Sequence, residues 1–196
     1  IDIAFSTVYS GGSPRGEIQV LLNDQSNSFS SSIIKSYPLV DGTVPLICNS
    51  LEAVDFDGDN DFDLVVGETS YQTAGITRLF INDGNGSFTE NSNRLIGSFM
   101  SYNQAGTGIY TTQVESGDYN DDGLDDLLIL SGADKDMILH AQQADGSFEA
   151  NYLNYHMESL TRIQYMDVDG DGFKDFISTD QIANGKVVIN YNDGNQ

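Results

Sequence analysis

Short apolar runs separated by polar turns organise the chain. Leu64 to Val66, Leu127 to Leu130 and Phe176 to Ile177 are three such runs, and Ile76 to Ile81, Met137 to Leu139 and Val187 to Ile189 follow them after some ten residues. Gly-, Ser- and Asn-rich segments lie between, and no stretch keeps an apolar period of about 3.6 residues long enough for a helix. Runs of this length, bounded by turn residues, read as β-strands. The pattern predicts an all-β chain.

The pattern also repeats. An acidic segment stands just ahead of each first run: Asp55 to Leu64 (DFDGDNDFDL), Asp118 to Leu127 (DYNDDGLDDL) and Asp167 to Phe176 (DVDGDGFKDF), with starts 63 and 49 residues apart. A second marker interleaves with it at Asn23 to Phe29 (NDQSNSF), Asn82 to Phe88 (NDGNGSF), Gln142 to Phe148 (QQADGSF) and Asn192 to Gln196 (NDGNQ). Phe29, Phe88 and Phe148 recur once per unit and are expected in the core. A unit of this length with about four short antiparallel strands is the signature of a β-propeller blade. The chain divides at approximately 2–62, 63–125 and 126–174, with a partial unit over 175–196, as one domain over 1–196. Propellers close with about four to eight blades, so further blades or copies are expected to complete the ring.

Composition narrows the partners. Thirty Asp and Glu against eight Lys and Arg give a formal charge of −22, which repels phosphate backbones and anionic lipid alike. Nucleic acid is excluded as a partner. No apolar run approaches the roughly 18 residues of a spanning helix, so membrane insertion is not expected. Cys48 is the single cysteine and can form no intramolecular disulfide.

The acids are not scattered: the loops hold five, five and four of them. Calcium takes six to eight hard oxygen ligands, which a short loop supplies when acids recur at alternate residues around a tight bend. Asp55, Asp57, Asp59 and Asp63 occupy positions one, three, five and nine of the first loop, with the carbonyl of Asp61 at seven. Asp167, Asp169, Asp171 and Asp175 do the same in the third, with the carbonyl of Phe173. The second offers Asp118, Asn120, Asp122 and Asp126, with the carbonyl of Leu124, and so has one carboxylate fewer. Position six needs a left-handed backbone and holds Asn60, Gly123 and Gly172. Without metal, two carboxylates about 5 Å apart repel by roughly 3 kcal/mol at an effective dielectric near 20. About three calcium ions, one per loop, are expected. An EF-hand does not fit: its twelfth position needs Glu, and these loops carry Val66, Ile129 and Ser178 there.

Catalysis finds little support. His140 and His156 are the only histidines, no Ser or Cys sits in a nucleophile elbow, and His140 reads as a strand-face residue. The regular loops already account for the excess carboxylate without a glycosidase pair. The chain is expected not to be an enzyme. Tyr71, Tyr102, Tyr110, Tyr152 and Tyr155, in variable connections, are candidate sugar-stacking platforms, with packing as the plainer reading.

The acidic loops followed by Leu64-Val65-Val66 or Leu127-Leu128-Ile129, with the Asn82 to Phe88 turn, resemble the FG-GAP/VCBS repeats of integrin α-subunit propellers and bacterial secreted proteins. The resemblance covers nearly the whole chain. It implies a ring of about seven blades, with the calcium loop joining the first two strands of each. It also implies an extracellular module, secreted or at the cell surface, for adhesion, protein binding or scaffolding, with a protein or glycan ligand on the cell surface or matrix. The alternatives are a calcium-dependent lectin and a non-catalytic accessory domain of a secreted enzyme or toxin. Arg15-Gly16-Glu17 is not an adhesive RGD triplet.

Overall fold

The structure, a computed structural model, describes residues 3–9, 15–22, 34–41, 44–45, 47–69, 77–91, 111–120, 122–131, 137–153, 160–180 and 186–192. Among the described residues every regular element is a strand, and the strands form four separate antiparallel sheets. The first holds β1 (Ile3–Tyr9), β2 (Arg15–Leu21), β3 (Ile34–Asp41) and β4 (Val44–Pro45). The second holds β5 (Ile47–Val54), β6 (Asp63–Thr69), β7 (Thr77–Asn82) and β8 (Phe88–Glu90). The third holds β9 (Thr111–Gly117), β10 (Asp126–Ser131), β11 (Met137–Gln142) and β12 (Phe148–Leu153), and the fourth β13 (Leu160–Met166), β14 (Asp175–Asp180) and β15 (Lys186–Asn190). Each sheet is an up-and-down meander in chain order, the build of a propeller blade.

The sheets are offset from the intervals counted in sequence. In the last three sheets the strand ahead of the acidic loop pairs with the strand after it, as Val54 with Asp63 and Gly117 with Asp126. Each sheet therefore begins one strand before the divisions at 63, 126 and 175. The first sheet is built differently: β2 precedes the Asn23 marker as β7 precedes Asn82, so β1 corresponds to β6, a second strand.

The apolar runs are continuous because their strands are covered on both faces. Along β6, Leu64 and Val66 join Ile18, Val20 and Phe80 between the first and second sheets. Val65 points the other way, into a cluster with Val54, Phe56, Leu79, Val114, Leu127, Ile129 and Phe148 between the second and third. Along β10, Leu128 and Leu130 then pack with Met137 and Ile163 between the third and fourth. The core is thus divided into slabs between neighbouring sheets. Phe148 is 9% exposed in the second slab and Phe88 packs half-buried against the first; Phe29 lies outside the described residues.

Neighbouring first strands are clamped through side chains. Five residues ahead of its loop, Ser50 accepts the Val114 amide at 3.0 Å and donates to the Val114 carbonyl at 3.4 Å. At the same position of the next unit, the Gln113 amide accepts from Ile163 N and donates to Ile163 O, both at 2.8 Å. A buried amide without a partner costs about 1–3 kcal/mol. Gln113→Ala is therefore expected to destabilise the chain by about 2 kcal/mol and to speed hydrogen exchange at the Ile163 amide, with the Ile129 amide little changed. Equal exchange at both sites would contradict the clamp.

Candidate metal centre

All three acidic loops join the first two strands of their sheets: residues 55–62 link β5 to β6, 118–125 link β9 to β10 and 167–174 link β13 to β14. Each loop is folded by its own carboxylates. Asp55 accepts the amides of Gly58 and Asp59 on Oδ1 and of Asn60 on Oδ2, at 2.9, 3.1 and 3.0 Å. Asp118 takes those of Asp122 and Gly123, and Asp167 those of Gly170 and Gly172. Position five repeats a shorter device: Asp59, Asp122 and Asp171 each accept the amide two residues on, at 3.0, 2.9 and 2.9 Å. Position six is left-handed in every loop, with φ of 72° at Asn60, 87° at Gly123 and 96° at Gly172. Asn bears that geometry better than most residues with a side chain.

These bends gather oxygen. Carboxylate oxygens of Asp55, Asp57 and Asp59 lie within 4.8 Å of one another, as do those of Asp167, Asp169 and Asp175. Such a set suits a hard divalent cation. The sequence places Asp63 and Asp171 with these groups, but neither falls inside the tight set of its loop. Among the described residues no three carboxylates converge in the second loop, where Asn120 stands at position three and accepts the Asp122 amide at 3.0 Å. The backbones of Asp61, Leu124 and Phe173 occupy position seven, their amides held by position five.

Position nine does something the sequence does not announce. Asp63, Asp126 and Asp175 are fully buried. One oxygen of each accepts the amide of position two, from Phe56, Tyr119 and Val168 at 3.0, 3.1 and 2.9 Å. The other accepts from the end of the third strand, or just beyond it: Asn82, Gln142 and Asn192 at 2.7, 2.8 and 2.8 Å. The carboxylate therefore ties the loop's entry to its own sheet. Position two carries the tie outward, since the Phe56 ring stacks on Phe148 of the third sheet at 4.6 Å and Tyr119 on Phe176 of the fourth at 5.6 Å.

Charge in these loops is under strain. Burial pushes the Asp63 carboxyl up from 3.8 to about 6; the amides of Asn82 and Phe56 draw it down, and Asp57 and Asp61 raise it again. Burial also raises Asp126, opposed by the amides of Gln142 and Tyr119 and reinforced by Asp122 and Asp118. A carboxyl whose pKa is higher folded than unfolded penalises the fold while ionised, and the penalty fades as pH falls from about 6 to about 4. His140, fully buried on β11, is pushed down to about 4 by burial and acts with the opposite sign in the same window. Comparison with Asp63→Asn separates the two. In chelator, the stability of the parent chain relative to that variant is expected to rise between pH 7 and pH 5; a fall would contradict the burial argument.

His140 stays neutral near pH 7 and belongs to the packed face of its strand. Cys48 is a free, half-buried thiol whose pKa burial raises. His156, Tyr71, Tyr102, Tyr110 and Tyr155 lie outside the described residues, as does the side chain of Tyr152. Among the described residues no helix is long and apolar enough to cross a membrane.

No curated protein sequence matches the chain. A family model described as an FG-GAP-like repeat matches residues 55–129 and again residues 118–178. Each match opens at position one of an acidic loop, and together they span more than half of the chain. With three such loops set in one register between the first two strands of successive four- or three-stranded sheets, the chain belongs to the FG-GAP-like repeat family.

Proposed function

We propose that the chain is an extracellular calcium-binding β-propeller module that binds protein partners in adhesion or scaffolding, without catalysis. The observation that carries the calcium reading is the convergence of loop carboxylates within 4.8 Å in the first and third loops, on bends already held by their own side chains. Asp55, Asp57 and Asp59 would hold one ion, and Asp167, Asp169 and Asp175 another. Asp118, Asn120, Asp122 and Asp126 would hold a third more weakly, having one carboxylate fewer. The ion supplies charge neutralisation, which lets each loop keep its acids close and its position-two residue in place.

Metal that binds only the folded chain stabilises it by mass action, about 2.7 kcal/mol at a hundredfold excess over Kd. Asp169→Ala is expected to shrink the calcium-induced rise in melting temperature and leave the melting temperature in chelator nearly unchanged. An unaltered calcium-induced rise would mean that the third loop does not hold the ion.

The partner reading draws support from the fourth sheet. Strand alternation puts Met166, Val187 and Ile189 on its face turned away from the third sheet, where they are 47%, 63% and 37% exposed. Equivalent faces of the second and third sheets are covered by the next sheet. A further blade or a second copy of the chain fits this face, and sedimentation across a concentration series reads whether copies associate through it.

A further inference from the structure

The first sheet has no counterpart of β5, β9 and β13. Val20 pairs with Ala4 as Leu79 pairs with Val65, and both stand three residues ahead of the Asn that opens their turn, so β1 holds the place of β6 residue for residue. Among the described residues β1 pairs with β2 alone, whereas β6, β10 and β14 each carry a first strand on their other edge. Gly67 is buried beside that first strand, while Ser6, its equivalent on β1, is exposed. The open edge also has a fixed hydrogen-bonding phase. The Val114 and Ile163 backbones turn away from their own second strands to meet Ser50 and Gln113. In an antiparallel ladder the residue opposite, Ile129, turns away as well, so Leu128 and Leu130 face β9. Ala4 and Ser6 stand in the places of Leu128 and Leu130, and their N–H and C=O groups point to the open edge. Leu51 stands in the place of Val114 and Ile163, four residues ahead of its loop, yet among the described residues no side chain clamps its backbone. In β9 and β13 the clamp comes from the first strand of the preceding sheet; for β5 that sheet is the first.

We propose that the open edge of β1 is a strand-addition site, which takes an extended segment of a partner protein antiparallel to β1. An unpaired ladder edge supplies the main-chain bonds, and the residues around it set the side chains. The partner residue opposite Phe5 is apolar, as Leu51, Val114 and Ile163 are opposite Val66, Ile129 and Ser178. The residue before it carries both a donor and an acceptor, because it holds the Leu51 N–H and C=O as Gln113 holds those of Ile163. Gln, Asn, Ser and Thr meet that demand, whereas Lys and Arg only donate and an ionised carboxylate only accepts. A second copy of the chain does not supply the segment, since its own β5, β9 and β13 are each built into a sheet. The inference gives a form to the protein partner proposed above and rests on that reading, but not on the calcium sites.

The test adds acetyl-Thr-Thr-Gln-Val-Glu-Ser-Gly-amide, the sequence of β9, to the isotope-labelled chain in saturating calcium. A control peptide carries norvaline in place of its glutamine. The glutamine peptide is expected to slow hydrogen exchange at the Ala4, Ser6 and Leu51 amides and to leave the Phe5 amide, which already faces β2, little changed. The norvaline peptide is expected to bind about tenfold more weakly, the usual weight of two neutral hydrogen bonds, and to leave Leu51 unprotected. Ser6→Pro, which removes one outward N–H, is expected to abolish the protection of Ala4 and Leu51. Unchanged exchange at Ala4 and Ser6 with millimolar glutamine peptide would overturn the proposal. So would protection confined to β15, equal protection of Leu51 by both peptides, or undiminished binding to the Ser6→Pro chain. Sedimentation reads association through the fourth sheet separately, so either reading can fail alone.

Discussion

Arg78→Met is expected to destabilise the chain by about 4 kcal/mol, lowering the melting temperature by on the order of 10 °C. Arg78 is 8% exposed, with Nε 2.9 Å from Glu68 Oε1 and Nη1 2.7 Å from Glu90 Oε1. Glu68 is fully buried, while Glu90 is 43% exposed and can be hydrated if released. Removing the guanidinium leaves Glu68 charged and enclosed with its principal counter-charge gone, and that remnant sets the size of the loss. Replacing both members with apolar groups of similar volume removes the remnant. The double variant Glu68→Met with Arg78→Met is therefore expected to recover most of the stability, read by urea unfolding of parent, singles and double. A double variant no more stable than Arg78→Met would contradict this origin of the loss.

Asp126→Ala is expected to cost a similar amount, on the order of 4 kcal/mol, and to do so with calcium or with chelator. It strips the acceptors from two amides, Tyr119 N and Gln142 N, each costing about 1–3 kcal/mol when left unpaired in the interior. It also releases the tie that holds Tyr119 against Tyr165 and Phe176. Asp122→Ala, at exposed position five, is the matched control: it should weaken calcium binding and change little in chelator. Thermal unfolding of both variants in the two conditions separates bracing from ligation. Equal, calcium-only losses would mean that position nine is a ligand and nothing more.

The contrast between positions five and nine marks what sequence can and cannot tell. Alternate acids with a left-handed sixth residue announce the loops, because Asx turns and a cation both need oxygen at odd positions. The apolar runs Leu64 to Val66 and Leu127 to Leu130 announce β6 and β10, because strands covered on both faces cannot alternate with polar residues. Position nine is ambiguous in sequence, since bracing and ligation ask for the same carboxylate. β5, β9 and β13 are hard to read for another reason. Their polar residues, such as Ser50 and Gln113, face the neighbouring strand's backbone and so interrupt any apolar pattern. Glu68, Arg78 and Glu90 meet only because register aligns three strands, and nothing local in the chain signals that contact.

Under the proposed function, three loops in one register each hold a calcium ion and so fasten successive sheets. Calorimetric titration of calcium into the chelator-stripped chain measures it most directly. Three ions per chain are expected, with the second loop the weakest, and two ions after Asp57→Ala. Absence of any calcium uptake, or a stoichiometry that Asp57→Ala leaves unaltered, would contradict it.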